Sequence, residues 1–309
     1  MATYTSLDQI DVPALAERYG IEGPKLTALT GGAANSSFRV SGPGGDFVLT
    51  ILDNHDADSA RRLVTHTQAL FRLGLPTIEI VPARDGSLTV PLGDSTAILK
   101  KWADGEVLEP LPLELLPAAG RALAQLHGLD PGSPGLDDVP VGTRRLSAAH
   151  HEAIPQFADR GFANWLTARL DRVRAAEADT HRPLRLSHGD LFADNIVVND
   201  GSRLTLLDWE TLSLDDPLLD LGMTAVGLAQ ENGRLAVERV RALVDGYRSV
   251  VPLTDEDLAA LPTAIEHAAL IIAFHRYYRH NVRFPNPDKQ TIHLAMIDFV
   301  DSIDGQDLR

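Results

Sequence analysis

The chain has 309 residues, 44% of them hydrophobic, and 43 acidic against 28 basic side chains give a formal charge of −15. So acidic a protein is no nucleic-acid binder, which needs clustered Lys and Arg, and its charge favours solubility. It contains no cysteine, which removes disulfides, zinc–thiolate sites and thiol nucleophiles and fits a reducing cytoplasm.

A length of 309 residues makes two domains the first expectation. Residues 12–20 have helical spacing and stop on a glycine. Three strand-like runs follow, 25–30, 37–40 and 47–52, separated by the turn sequences GGAAN and SGPGG. DADSARRLVTHTQALFRLG places Leu63, Ala69, Leu70 and Leu73 at helical intervals and closes on Gly74. IEIVP, SLTVPL and STAILKKW read as further strands. The first hundred residues are thus expected to form an antiparallel sheet of about five strands with one inserted helix. WADGEVLEPLP reads as a linker, which divides the chain into 1–101, 102–112 and 113–309. Helical spacing then predominates, over 113–129, 162–178, 217–230, 234–250, 255–261 and 265–280, with Asp216-Pro217 as a helix cap and first helical residue. No apolar run approaches the ~20 residues of a membrane span, and the N-terminal stretch lacks a basic-then-apolar secretory layout.

One stretch in this helical half reads differently. LSHGDLFADNIVVNDGSRLTLLDWE, residues 186–210, sets Asp190, Asp194, Asn195 and Asp208 around two apolar runs. Buried unpaired carboxylates are costly, so these acids need another reason to be there. Asn199-Asp200-Gly201 between the runs marks a hairpin. Folding it back is expected to bring Asn195 and Asp208 to its open end, on strands about 4.8 Å apart. An amide oxygen and a carboxylate so placed suit Mg2+, which takes one or two side-chain oxygens and leaves its other positions to phosphates and water. His188, Asp190 and Asn195 spell H-x-D-x-x-x-x-N, with an Asp after a later strand. That is kinase spacing, in which one Asp takes the acceptor proton while the Asn and second Asp hold metal.

At these residues the sequence resembles the aminoglycoside phosphotransferase and choline kinase-like superfamily. SHGDLFADNIVV and LTLLDWE match its catalytic and metal-binding motifs, DDPLLDLG its D-P-x-x-D-L helix start, and GRALAQLHGL its first large C-lobe helix. GGAANSSFRV, GDFVLTILD, GLPTIEIVPARDG and HGDLFADN are most similar to type II homoserine kinases. The resemblance implies an α+β, protein-kinase-like bilobal fold, with an antiparallel N-lobe sheet and one helix around ATP and a mainly helical C-lobe carrying the catalytic hairpin. It implies transfer of the γ-phosphoryl group of ATP to a hydroxyl of a small metabolite. Homoserine or a related hydroxy amino acid comes first, an aminoglycoside, amino sugar or choline-type alcohol second. Asp190 is then the base, and Asn195 and Asp208 bind Mg2+. Gly31, Gly32, Asn35 and Ser36 belong to the loop over the nucleotide phosphates, where glycines let backbone N–H groups approach an anion. Lys100 and Trp102 fall in the hinge that meets adenine. Asp194, with Arg276 and Arg279 on the late helix AFHRYYRHNVRF, lines the acceptor pocket, an Arg clamping a carboxylate. Asp220 bonds backbone near the catalytic loop, and His188 is an orienting or core histidine.

The sequence departs from the kinase pattern at two places. A kinase carries a Lys on its third strand, paired with a helix Glu. Here FVLTILD puts Thr50 at that place, and the following helix has no Glu. Type II homoserine kinases resemble this sequence in having Thr there. Arg61, Arg62, His66 and Lys100 are the alternative cations, and a pseudokinase that binds nucleotide without turnover stays open. The second departure is WETLSLDDP after Asp208, closer to the broader phosphotransferase pattern than to homoserine kinases.

Overall fold

The structure is a computed structural model that describes residues 5–29, 35–200 and 202–308. Gly31 and Gly32 of the expected phosphate loop lie outside these residues. The chain divides into two compact units. The first gathers Met1–Glu106, Gly132–Asp138 and Thr205–Glu210, and the second Val107–Pro131, Val139–Leu204 and Thr211–Arg309.

The first unit is built on a five-stranded antiparallel sheet. Its strands are β1 (Lys25–Ala28), β2 (Ser36–Gly42), β3 (Gly45–Ile51), β4 (Val90–Leu92) and β5 (Ser95–Lys101), in the order β1-β2-β3-β5-β4. Helices α1 (Val12–Tyr19) and α2 (Ala57–Arg72) cover it. Alternation along the strands decides what each face carries. Phe47, Leu49, Ile51 and Leu99 pack with Leu15 of α1, whereas Ile98 packs with Ala60 and Val64 of α2. Val48 lies opposite Lys100 and Thr50 opposite Ile98, so Thr50 and Lys100 share the α2 side. Asp11 and Asp56 cap the two helices, accepting the N–H groups of Ala14 and Ser59 at 3.0 and 2.7 Å.

The run IEIVP makes only an isolated bridge, Ile80 to Lys100, because Pro82 at its end and Pro76 just before it have no N–H to extend a ladder. Thr205–Glu210 is tied to this unit at Pro76 and Thr77, among other contacts. The Leu206 N–H donates to Pro76 O at 2.7 Å and its carbonyl accepts from Thr77 Oγ1 at 2.9 Å. Trp209 Nε1–H donates to the same hydroxyl at 2.7 Å.

The second unit is mainly helical, with α3 (Leu116–His127), α4 (Ala148–Ala153), α5 (Arg160–Glu177), α6 (Pro217–Leu228), α7 (Val237–Arg248), α8 (Asp255–Tyr277) and α9 (Ala295–Asp301). Strand β6 (Arg185–Ser187) pairs with β9 (Ser213–Asp215), and β7 (Ile196–Asn199) forms the expected hairpin with β8 (Arg203–Leu206). The boundary of the two units falls within β8. Helices α3 and α7 cross on glycine. A Cβ on Gly120 would meet Leu243 O at 2.0 Å, and one on Gly246 would meet Pro117 O at 2.1 Å.

The sequence divides 255–280 at Pro262, but α8 is one helix running through that proline. Leu261, Ile265, Leu270, Ile271 and Phe274 are all buried. Each such side chain contributes about 1.5–3 kcal/mol, so a few outweigh the ~3 kcal/mol penalty of a mid-helix proline. With its following turn the helix is long and apolar enough to cross a membrane, yet 67% of that apolar window is buried in protein, as befits a core helix. Helices α4 and α9, which the sequence did not suggest, have only six and seven residues, too few for a periodic signal.

Candidate active site

In the second unit the chain leaves β6, passes through His188, Gly189 and Asp190, and enters a 3-10 turn over Ala193–Asn195. Asp220, near the start of α6 and buried, holds this loop as expected. Its carboxylate accepts the N–H of His188 at 2.7 Å and of Gly189 at 2.8 Å, and bonds His127 Nε2 at 3.0 Å. The far ring nitrogen of His127 bonds the Tyr247 hydroxyl at 2.7 Å. Burial raises the Asp220 pKa, but the His127 hydrogen bond and charge outweigh it, and the carboxyl ends below its usual range. Asp216 caps α6 by accepting the Leu218 N–H at 2.9 Å. His188 is fully buried, and its Nδ1 lies 3.3 Å from the Asp190 N–H. Gly189 sits at φ 75°, and a Cβ there would meet Arg144 Cγ at 2.8 Å and Thr211 O at 3.2 Å. The loop therefore needs glycine twice over, for its backbone angle and for the close approach.

Asp190 is half-buried, and its Oδ1 accepts from Arg144 Nη2 at 2.8 Å. The buried Nε of Arg144 has no partner among the described residues. Asn195 Nδ2 donates to Asp190 O at 2.9 Å, which commits the amide nitrogen and leaves the amide oxygen for a cation or a donor. Asp194 is exposed, yet the protein around its carboxylate, and then the Asp190 charge, raise its pKa. On α8, His275 meets His150 edge to face, with ring centroids 5.4 Å apart. Burial, then the Arg144 and His150 charges, push His275 down to about 4. Arg276 is half-buried, and burial alone lowers its pKa. Arg279 is exposed, on the π-helical turn after α8.

In the first unit Asp208 is exposed and sits at φ 58°, a left-handed conformation uncommon outside Gly, Asn and Asp. Its Oδ1 accepts the Glu210 N–H at 3.2 Å. The Glu210 carboxylate accepts from Asn35 Nδ2 and lies 3.6 Å from His55 Nε2. Burial raises the Glu210 pKa, but His55, Asn35 and Lys100 together hold it below its usual value. Burial lowers the Lys100 pKa, against the charges of Asp208 and Glu210. Ser36 is tied to Asp53, through its N–H at 2.9 Å and its Oγ at 2.6 Å. Trp102 follows β5, with the Arg39 guanidinium 4.5 Å above its ring.

Among the described residues no three His, Asp or Glu side chains converge as a self-sufficient metal site. Mg2+ shared with phosphates needs no such triad. The available Asn195 oxygen and the exposed Asp208 carboxylate are hard donors of the required kind. Sequence reasoning missed Arg144 and Glu210. Arg144 lies 46 residues before Asp190 in an irregular loop, where no spacing advertises it. Glu210 follows Asp208 in DWE, but nothing in the sequence ties it to Asn35.

Residues 25–253 match the phosphotransferase enzyme family, APH. The chain belongs to this family. This phosphotransferase is 29% identical over 294 residues to the homoserine kinase of Gluconacetobacter diazotrophicus, covering 90% of this chain and 88% of that one. It is 26% identical over 249 residues to the homoserine kinase of Methylobacillus flagellatus, with 79% and 76% covered. Among solved structures, the amicoumacin kinase hAmiN in complex with AMP-PNP, Ca2+ and Ami matches it with a TM-score of 0.74 at 14% identity, over 97% of both chains. The protein-kinase-like fold expected from the sequence is the fold found. The protein is a small-molecule phosphotransferase.

Proposed function

We propose that this phosphotransferase uses ATP with Mg2+ to phosphorylate the hydroxyl of homoserine or a closely related hydroxy amino acid in the cytoplasm. The observation that carries the acceptor is the Arg144–Asp190 pair. A guanidinium is fixed 2.8 Å from the proposed base and keeps a buried Nε without a partner among the described residues. Such a pair suits an acceptor with a hydroxyl at one end and a carboxylate at the other. The hydroxyl addresses Asp190 Oδ2, and the carboxylate takes the remaining guanidinium N–H groups. Arg276, half-buried, is a second cation for that carboxylate and Arg279, exposed, a third. Asp194 is the carboxylate for the acceptor ammonium. The curated relatives named homoserine kinases support the amino-acid reading.

In this reading Asp190 takes the proton as the acceptor oxygen bonds the γ-phosphorus. The bond to the β–γ bridging oxygen breaks, and ADP leaves with that electron pair. Asn195 and Asp208 would hold Mg2+, which when bound neutralises phosphate charge. Asn35, Ser36 and Trp102, with Gly31, Gly32 and Lys100, contact the nucleotide.

ADP release measured side by side with homoserine, choline, hexosamines and aminoglycosides tests the reading. Homoserine turnover that falls about 10²–10⁴-fold in Asp190→Asn, with Mg-ATP affinity kept, is the expected result. Good turnover of a sugar or antibiotic with homoserine at background replaces the acceptor. Nucleotide binding with no turnover of any acceptor leaves a pseudokinase.

A further inference from the structure

The third-strand lysine that grips the nucleotide phosphates in kinases is absent here, since Thr50 occupies its place on β3. The structure sorts the four cations that stand near it in sequence. Arg61 is exposed and paired with Asp58 at 2.8 Å. Arg62 is exposed on the same turn of α2. His66 is buried and bonded to Asp138 at 2.7 Å. Lys100 alone lies on the sheet.

Its place there is specific. Lys100 is opposite Val48 and Thr50 is opposite Ile98, so Lys100 projects from the same face as Thr50, one strand over and two residues along. Diagonal neighbours of this kind lie about 7–8 Å apart, within the span of a lysine side chain. That face is the α2 side, where the usual lysine meets a helix glutamate. Helix α2 has no Glu. Glu210 supplies a carboxylate instead, held by Asn35 and close to His55. Asp208, the proposed metal ligand, is the other acid whose charge acts on Lys100. Strand β5 thus carries the lysine of the missing arrangement, and the segment after β8 carries a fixed glutamate.

We infer that Lys100 is the phosphate-gripping cation of this chain, moved from β3 to β5 and positioned by Glu210. The inference rests on the kinase reading given above. A hinge role contacting adenine through the backbone would leave the ammonium idle. The phosphate role uses it.

Calorimetry on wild type and Lys100→Met, with Mg-ATP and with adenosine as ligands, tests this. Adenosine shares the base and ribose but has no phosphates. Loss of one charge-assisted contact predicts an affinity for ATP about 10–150-fold lower in the variant, with adenosine affinity unchanged. Equal ATP affinities in the two proteins would overturn the inference and leave the kinase reading standing. Parallel loss of both ligands, or a variant that does not fold while Lys100→Arg does, would make Lys100 a structural partner of Asp208 and Glu210 and likewise overturn it. Wild type that binds no Mg-ATP would sink the kinase reading and this inference with it.

Discussion

Replacing Asp220 with Asn keeps the shape of the side chain but removes its charge and one of its acceptor oxygens. In the wild type Oδ2 serves the His188 N–H at 2.7 Å and His127 Nε2 at 3.0 Å, while Oδ1 serves the Gly189 N–H at 2.8 Å. Either way round, the new NH2 faces a backbone N–H. The cheaper rotamer strands Gly189 alone, and one buried donor without a partner costs ~1–3 kcal/mol. With the lost charge beside His127 the total comes to about 2–4 kcal/mol. At ~2–4 °C per kcal/mol for a protein this large, Tm falls by roughly 5–15 °C. The damage lies beneath Gly189, next to Asp190, so kcat should fall more than nucleotide affinity. The wild-type Asp220 carboxyl has a folded pKa below its unfolded one. Its contribution is therefore complete above the unfolded value, near 4, and is lost as pH falls through the folded value. Asp220→Asn should lack that acid-side loss. Calorimetric melting and coupled ADP release measure both effects. A Tm within about 2 °C of wild type together with an unchanged kcat would refute the claim that this carboxylate organises the loop.

Gly189→Ala forces a side chain into φ 75° and within 2.8 Å of Arg144 Cγ. Strain of about 1–3 kcal/mol beside Asp190 should lower kcat at least about tenfold while Mg-ATP affinity, read by calorimetry, stays put; an unaltered kcat would mean that the loop relaxes freely. Arg144→Gln should raise KM for homoserine by about 10–150-fold through loss of a charge-assisted bond. An amino alcohol without a carboxylate should be much less affected, and equal losses on both acceptors would point to positioning of Asp190 instead. His275 has a folded pKa of about 4 against 6.5 unfolded, so the unfolded chain takes the proton first. Stability should drop as pH falls from 6.5 towards 4, by up to ~3 kcal/mol, and His275→Gln should flatten the urea-midpoint profile in that window; identical profiles would remove His275 from the account. Asp208→Ala should abolish the Mg2+ dependence of ATP binding, and a variant with the same calorimetric Mg-ATP affinity and the same Mg2+ dependence as wild type would exclude Asp208 as a ligand.

How legible each feature was depends on how far apart its parts lie in the chain. His188, Asp190 and Asn195 can be read because one loop must deliver all three, which fixes their spacing. The β7–β8 hairpin is equally local, set by Asn199-Asp200-Gly201 between two apolar runs. The sheet was readable because strands β1 to β3 follow one another closely along the chain. Helix α8 was misread at Pro262, where a local breaker loses to burial by residues from α5, α6 and α9, and no window along the sequence contains that balance. Arg144 is the opposite case to Asp190. Its partner is fixed by the fold of an irregular loop, and a surface arginine looks the same in sequence. Lys100 was visible, but its face was not, because that follows from the pairing of β3 with β5 across an interval of some fifty residues.

The acids next to buried strands have an answer that combines these cases. A chain of charge −15 that concentrates carboxylates at residues 190–216 has to bring cations to them from elsewhere. Arg144 reaches Asp190 at 2.8 Å, and its neighbour Arg145 reaches Asp215 at 2.7 Å. The charges of Asp208 and Glu210 act on Lys100. Exposed ion pairs contribute little, typically ~0–1 kcal/mol, and pairs such as Arg61–Asp58 are of that kind. The pairs around the motif are partly or largely withdrawn from water, where truncating one partner leaves the other charge uncompensated. Stability alone would be served as well by apolar replacements. What apolar residues would not provide is a set of carboxylates held in fixed orientations with ionised partners, which the proposed proton and metal roles of Asp190 and Asp208 require. On that ground the basic residues worth mutating first are those that face the motif's acids, Arg144 and Lys100, ahead of any chosen by their position along the sequence.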